Sequence, residues 1–301
     1  MRARVVKTTG DRYWVQDEAG QMHEAHVKGR LRMQGIRSTS PVVVGDWVQV
    51  REGLIAEIED RANYIVRRAS NLSKYSHILA ANVDQVFLMV TLAWPETALE
   101  FVDRFLVTAE AYQVPVVLLF NKVDLYTPEL EERYRELTAL YAPLGYPCLR
   151  LSLESGEGVE EVRGRLQGKV TLLSGNSGVG KSSLMNALDP TLSARTGEVS
   201  EVHGKGMHTT TFSQMYPVAG GYVIDTPGIK GFGVVDLEPA DVAKCFPEMF
   251  RLSDQCKFHN CTHTHEAGCA VTAAWERGEI ADSRYDSYVS ILADMDQSKY
   301  R

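Results

Sequence analysis

Gly175-Asn176-Ser177-Gly178-Val179-Gly180-Lys181-Ser182 decides how this chain is read. It fits G-x-x-x-x-G-K-[ST], the spacing of a loop built to hold phosphate. Glycines let the backbone turn tightly and aim N–H groups at anionic oxygens. Lys181 adds a positive charge near the outer phosphates, and the Ser182 hydroxyl is a ligand for Mg²⁺. The flanks agree. Lys169-Val170-Thr171-Leu172-Leu173-Ser174 reads as a buried strand, and Ser182-Ser183-Leu184-Met185-Asn186-Ala187-Leu188 as the opening of a helix whose N-terminus favours anions. A glycine-rich turn without a ligand is the competing reading, which this strand and helix disfavour.

Upstream, strand and helix patterns alternate. Gln85–Val90 reads as a buried strand, Leu99–Tyr112 has helical periodicity, Val114–Phe120 is another strand, and Pro128–Tyr141 is a charged amphipathic helix with Thr127 as N-cap. Cys148–Leu151 is a further strand. Such alternation predicts a parallel sheet covered on both faces. The strand ending at Phe120 runs into Asn121-Lys122-Val123-Asp124, N-K-x-D at the carboxyl end of a strand, where ligands of open α/β sheets bind. After Leu151 comes Ser152-Leu153-Glu154-Ser155-Gly156-Glu157-Gly158. Beyond the phosphate loop, Asp189 to Met207 is polar and carries Gly197, Gly204 and Gly206, a composition suited to a mobile switch segment. It leads to His208-Thr209-Thr210-Thr211, which also reads as the start of a β-prone run. Gly221–Ile224 then leads into Asp225-Thr226-Pro227-Gly228, D-x-x-G.

These motifs together resemble the P-loop GTPases. In that family the Asp of N-K-x-D accepts hydrogen bonds from the N1–H and 2-amino group of guanine, which adenine lacks. The resemblance implies that Asp124 selects GTP over ATP, that Asn121 braces base and loops, and that the Lys122 stem lies over the ring. The Ser152 loop would meet the base, with Leu153 where an Ala is usual. Gly175 to Ser183 would hold the phosphates. Thr210, with Thr209 and Thr211 as alternatives, would ligate Mg²⁺. Asp225 would hold Mg²⁺ through water, and the Gly228 N–H would meet the γ-phosphate. The order is unusual. Ordinary members run phosphate loop, switch Thr, D-x-x-G, N-K-x-D; this chain starts with N-K-x-D and is circularly permuted, which is feasible where termini lie close at the surface.

Residues 1–68 read as short strands: Ala3–Thr8, Arg12–Gln16, Val42–Val50 and Gly53–Ile58. They predict a small five-stranded barrel of the oligonucleotide-binding type. Lys28–Arg37 between them carries four cations, and residues 61–82 look like a connector. Net charge is −7, but residues 1–75 hold 13 Lys+Arg against 9 Asp+Glu. An anionic partner or an incidental solvated face would both account for that bias. Late in the chain, Cys256-(x4)-Cys261-x-His263-(x5)-Cys269 offers three thiolates and an imidazole, the donor set of a closed structural Zn²⁺ site; His259 and His265 compete for the nitrogen position. The tail from Ala270 has helical periodicity. Clustered thiols suggest a reducing compartment, and no run of roughly 18 apolar residues predicts a membrane span.

A barrel (1–68), a permuted GTPase (69–235) and a mainly helical zinc segment (236–301) resemble the ribosome small-subunit-dependent GTPase A (RsgA) family. Gly45-Asp46-x-Val48 and Ala81-Asn82-Val83-Asp84-Gln85 add to the likeness. The resemblance implies a multidomain α/β protein that hydrolyses GTP during late maturation of the small (30S) ribosomal subunit, with barrel and zinc segment on rRNA. The expected partners are GTP and GDP, the subunit and its rRNA. The protein is expected to act as a cytoplasmic monomer with one Zn²⁺ and Mg²⁺-GTP. Ile229 follows D-x-x-G where Ras-type enzymes place a water-orienting Gln, so intrinsic hydrolysis should be slow and need a partner. His208 is the family's candidate for orienting water; a rim or RNA-contacting histidine is the other reading.

Overall fold

The structure, a computed structural model, describes residues 1–27, 41–68, 76–192, 213–225 and 237–299. The N-terminal strands are β1 (Arg2–Thr9), β2 (Arg12–Asp17), β3 (Met22–Val27), β4 (Trp47–Arg51) and β5 (Leu54–Ile58). They pair in the order β1-β2-β3-β5-β4 and close through β4 on β1, giving the expected five-stranded barrel. Alternate residues face inward, so Ala3, Val5, Val15, Val48 and Ile55 are fully buried. β3 has no counterpart in the sequence reading: His23, Glu24 and His26 obscure its alternation, and only Ala25 is buried. Val42–Val44 does not belong to a strand with Trp47. Those three valines form a buried turn, because the Asp46 carboxylate accepts the Val43 N–H at 2.8 Å and is gripped by Arg61 at 2.7 and 2.8 Å.

Residues 61–82 are not a plain connector. β6 (Tyr64–Arg68) and β7 (Ser76–Ala81) form a separate hairpin. It is buried on both faces: Ile65, Leu79 and Ala80 join the core of the α/β unit, while Val66, Ile78 and Ala81 pack with Val43.

The α/β unit follows as β8 (Gln85–Val90), α1 (Leu99–Ala111), β9 (Val116–Asn121), α2 (Pro128–Tyr141), β10 (Cys148–Leu151), α3 (Val159–Leu166), β11 (Val170–Gly175), α4 (Lys181–Leu188), β12 (Gln214–Val218) and β13 (Gly221–Asp225). Strand order is β10-β9-β8-β11-β13-β12, parallel except for β12. β8, β9 and β11 are buried on both faces. Leu88, Leu118 and Phe120 meet α1 and α2, whereas Phe87, Met89 and Leu119 meet α3 and α4. Thr127 caps α2 as expected, accepting from the Leu130 N–H. The chain leaves β8 and β11 toward opposite faces, so a crevice opens at their carboxyl ends, the usual ligand position in such sheets. β12 also bridges β1 (Lys7 opposite Gln214), joining barrel and α/β strands into one sheet.

The C-terminal segment holds α5 (Pro247–Ser253), α6 (Ala270–Glu276) and α7 (Asp282–Lys299). Its core includes Val107 from α1. No helix among the described residues is long and apolar enough to cross a membrane.

Candidate nucleotide site and metal-binding cluster

The phosphate loop leaves β11 at Gly175 and enters α4 at Lys181. Gly180 has φ +106°, and a Cβ there would lie 2.4 Å from the Asn121 side-chain nitrogen. The space is needed because Asn121 Nδ2 donates to the Val179 carbonyl at 2.8 Å. This bond ties N-K-x-D to the phosphate loop across 58 positions of sequence. Asn121 is buried, and its Oδ1 has no hydrogen-bond partner among the described residues. A buried carbonyl in that condition costs about 1–3 kcal/mol, the mark of an acceptor held for a ligand.

Lys181 Nζ donates to the carbonyls of Gly175 and Asn176 at 2.7 and 2.8 Å, folding back over its own loop. Burial lowers its pKa, opposed by the nearby Asp225 charge. Burial likewise pushes the Asp225 carboxyl up to about 6, opposed by Lys181. For both groups loss of water outweighs their mutual attraction. Ser177, Gly178, Ser182 and Ser183 are exposed toward solvent, and Val179 is buried beneath the loop.

Around the base-reading motif, Ser152 Oγ donates to Asp124 Oδ1 at 2.6 Å and accepts the Ser155 N–H at 3.1 Å. The Ser152 loop is thereby fastened to the exposed Asp124 carboxylate. Val123 is buried in the short turn that carries it. Lys122 stands in the left-handed region at φ +65°, and its Nζ donates to the Trp94 carbonyl. Trp94 belongs to a loop after β8 that sequence reading did not single out. Pro95 of that loop sits against Gly178, 3.3 Å from where a Cβ would be. Only a tertiary contact reveals it. His208, Thr210 and Gly228 lie outside the described residues.

The structure gathers Cys256, Cys261, His263 and Cys269, with ligand atoms all within 4.8 Å of one another. His263 Nδ1 lies 3.5 Å from Cys256 Sγ and 3.4 Å from Cys269 Sγ, and those two sulfurs are 3.9 Å apart. A tetrahedral ion with bonds of ~2.0–2.3 Å needs ligand separations of roughly 3.4–3.8 Å. The cluster therefore fits a metal ion. Burial lowers the His263 pKa, favouring the neutral imidazole that a metal requires. Of the three histidines weighed, only His263 joins; His259 and His265 are exposed. Its main chain is held in place. Tyr285 OH donates to the His263 carbonyl and Tyr288 OH to that of Thr262. Glu266 accepts from the N–H groups of Thr262, Thr264 and His265 and from the Thr262 hydroxyl. Burial would raise the Glu266 pKa, but these bonds, Thr262's first, hold it well below the carboxylate range.

The family profile described as RsgA GTPase matches residues 58–235. The chain belongs to the RsgA GTPase family. It is 55% identical to a Bacteroides fragilis protein and 56% identical to a Phocaeicola vulgatus protein, each named small ribosomal subunit biogenesis GTPase RsgA, with 100% of this chain and 99% of each relative aligned. Among solved structures, YjeQ from Thermotoga maritima matches with a TM-score of 0.77 at 35% identity over 97% of both chains. YloQ, described as a circularly permuted GTPase, matches at 0.72 and 29% over 100% of this chain and 96% of that one. Both solved structures thus share this fold over nearly their whole length.

Proposed function

We propose that this chain is a GTP hydrolase of small-subunit biogenesis, slow alone and stimulated by the 30S subunit. The observation that carries this is the Asn121–Val179 bond: it sets a guanine-reading motif and a phosphate loop on one crevice despite the permuted order. Near-full-length identity to relatives named for small-subunit biogenesis supplies the partner. The assigned contacts are those expected from sequence: Asp124, Asn121, Lys122 and Ser152 on the base, Gly175 to Ser183 on the phosphates, Gly228 on the γ-phosphate. Asp124 favours guanine over adenine.

The Lys181 ammonium now resting on two carbonyls would transfer to phosphate oxygens, and loop N–H groups would add to it. Exposed Ser182 and Thr210 would hold Mg²⁺, with half-buried Asp225 near Lys181 holding it through water; the ion would supply neutralisation of developing phosphate charge. A cation there would oppose the burial that raises the Asp225 pKa. Catalysis is mostly positioning, because Ile229 offers no group to orient water. His208 takes that role. Its replacement by Ala is expected to abolish subunit-stimulated turnover, a loss of about 10²-fold or more, while GTP binding is retained; stimulated turnover at the parental rate would remove His208 from the mechanism. The Cys256, Cys261, His263 and Cys269 cluster holds one structural Zn²⁺. The proposed limits are 1–68 for the barrel with β6 appended, 69–235 for the GTPase with β7 at its start and 236–301 for the zinc segment, acting on rRNA as a cytoplasmic monomer.

Ile229 also favours a second reading, a GTP-gated binding switch with negligible turnover. GTP turnover with and without purified small subunits separates the two. Strong stimulation supports the hydrolase; docking and GTP binding without stimulation support the switch.

A further inference from the structure

Between the barrel and the α/β strands lies a groove of about 320 Å³ that none of the motifs accounts for. One wall is Lys7, Trp14, Gln16 and Met22 of the barrel; the other is Gln214 and Tyr222, with Pro217 beside them. Lys7 and Trp14 are partners in the β1–β2 ladder, and the Lys7 Nζ stands 5.3 Å from the Trp14 ring centre. The Tyr222 hydroxyl donates to Gln16 Oε1 at 2.8 Å, pinning the two walls together. Met22 is more than half exposed at the mouth. The chain carries a net charge of −7, yet among the described residues no Asp or Glu lines the groove. Lys7 makes no ion pair among the described residues.

We propose that this groove seats one unstacked base of single-stranded RNA against Trp14, with the adjoining phosphate on Lys7. The proposal rests on the ribosomal reading above and adds where the RNA enters. Three features favour this occupant. Apolar and aromatic walls suit a planar ring, and the volume lies near the lower end of small-molecule sites, roughly 300–1,000 Å³, so it takes one ring system rather than a stack. Lys7 complements a phosphate, because the nearest ladder carboxylate, Glu24 opposite Trp14, faces Arg12 and His26 instead. The groove also lies on the β2–β3 side of the barrel, the face that oligonucleotide-binding barrels use. Its far wall starts with Gln214, opposite Lys7, so the base would touch barrel and α/β unit together.

The test is anisotropy of fluorescein-labelled hexauridylate and hexaadenylate on the full chain at two salt concentrations. Trp14→Ala is expected to weaken both probes about tenfold, from loss of one base-stacking platform. Trp14→Phe, which keeps a ring, should restore most of it. Lys7→Ala should weaken binding and flatten its salt dependence. Unstimulated GTP turnover should be unchanged in all three. Parental affinity in Trp14→Ala, or equal loss in Trp14→Phe, overturns the groove assignment. So does loss of small-subunit docking with unchanged oligonucleotide affinity, which would point to a protein in the groove. Parental protein that small subunits fail to stimulate would instead sink the ribosomal reading, independently of what Trp14 does.

Discussion

At its barrel end the α/β unit is held by bonds around the main chain; at its C-terminal end it is held by buried charge and a shared core. The barrel joint centres on Gly45 and Asn82. Asn82 Nδ2 donates to the Gly45 carbonyl at 3.0 Å, its Oδ1 accepts the Ala62 N–H at 2.9 Å, and its carbonyl accepts from Arg4 at 2.9 Å. Asn63 bonds both the N–H and the carbonyl of Val83. At the other end, Arg284 is wholly buried and meets Asp103 of α1 at 2.7 Å and Glu248 at 2.7 Å. Tyr141 and Ser287 donate to the same Asp103 carboxylate. Short main-chain bonds fix an angle, because they tolerate little displacement. The charged joint fixes a partner, because either half alone would bury uncompensated charge.

The comparison is open to attack by mutation. Arg284→Met should cost most, about 3–5 kcal/mol, by stranding two carboxylates in the interface. Urea denaturation would show it, and a loss under 1 kcal/mol would mean that apolar packing around Val107 holds the joint instead. Gly45→Ala comes next, at about 3 kcal/mol, since its Cβ would fall 1.9 Å from the Ala81 carbonyl oxygen at φ +95°. Asn82→Ala should cost about 2 kcal/mol through lost side-chain bonds. It should reduce subunit-stimulated turnover more than unstimulated turnover if the joint relays barrel docking; equal effects on both rates would make it a stability element only. The smallest effect is Glu266→Gln, at about 1 kcal/mol, because the amide keeps one acceptor. Its mark should be weaker metal retention in a chelator competition, with the barrel joint unaffected.

The sequence revealed the two joints unequally. Gly45-Asp46 and Ala81–Gln85 stood out as family marks, but their use in a joint needed the close approach of Gly45 to Ala81 to become plain. Arg284 and Asp103 carried no signal, being ordinary charges 181 positions apart. The same contrast runs through the fold. Apolar strands such as Gln85–Val90, the capped helix after Thr127 and the gathering of Cys256 with His263 were legible because spacing alone encodes them. The hairpin of β6 and β7 was not, since its burial is supplied by distant partners, and β3 was not, because polar residues hide its alternation. Val42–Val44 misled because a buried apolar run looks like a strand whether or not a ladder forms. In the nucleotide site, the motifs were readable, while the Lys122–Trp94 contact depends on a loop whose own residues spell no motif.

The permuted order has a price at synthesis. Gln85 of β8 and Thr171 of β11 sit side by side in the sheet yet are 86 positions apart. A nascent chain therefore releases β8, β9 and β10 as a half-sheet whose inner edge stays unpaired until β11 emerges. Such an edge is a template for association with other chains, and long-range parallel pairing closes slowly. The phosphate loop arrives with the strand that covers this edge, so pairing that edge also brings the loop to Asn121, while β13 and Asp225 follow later.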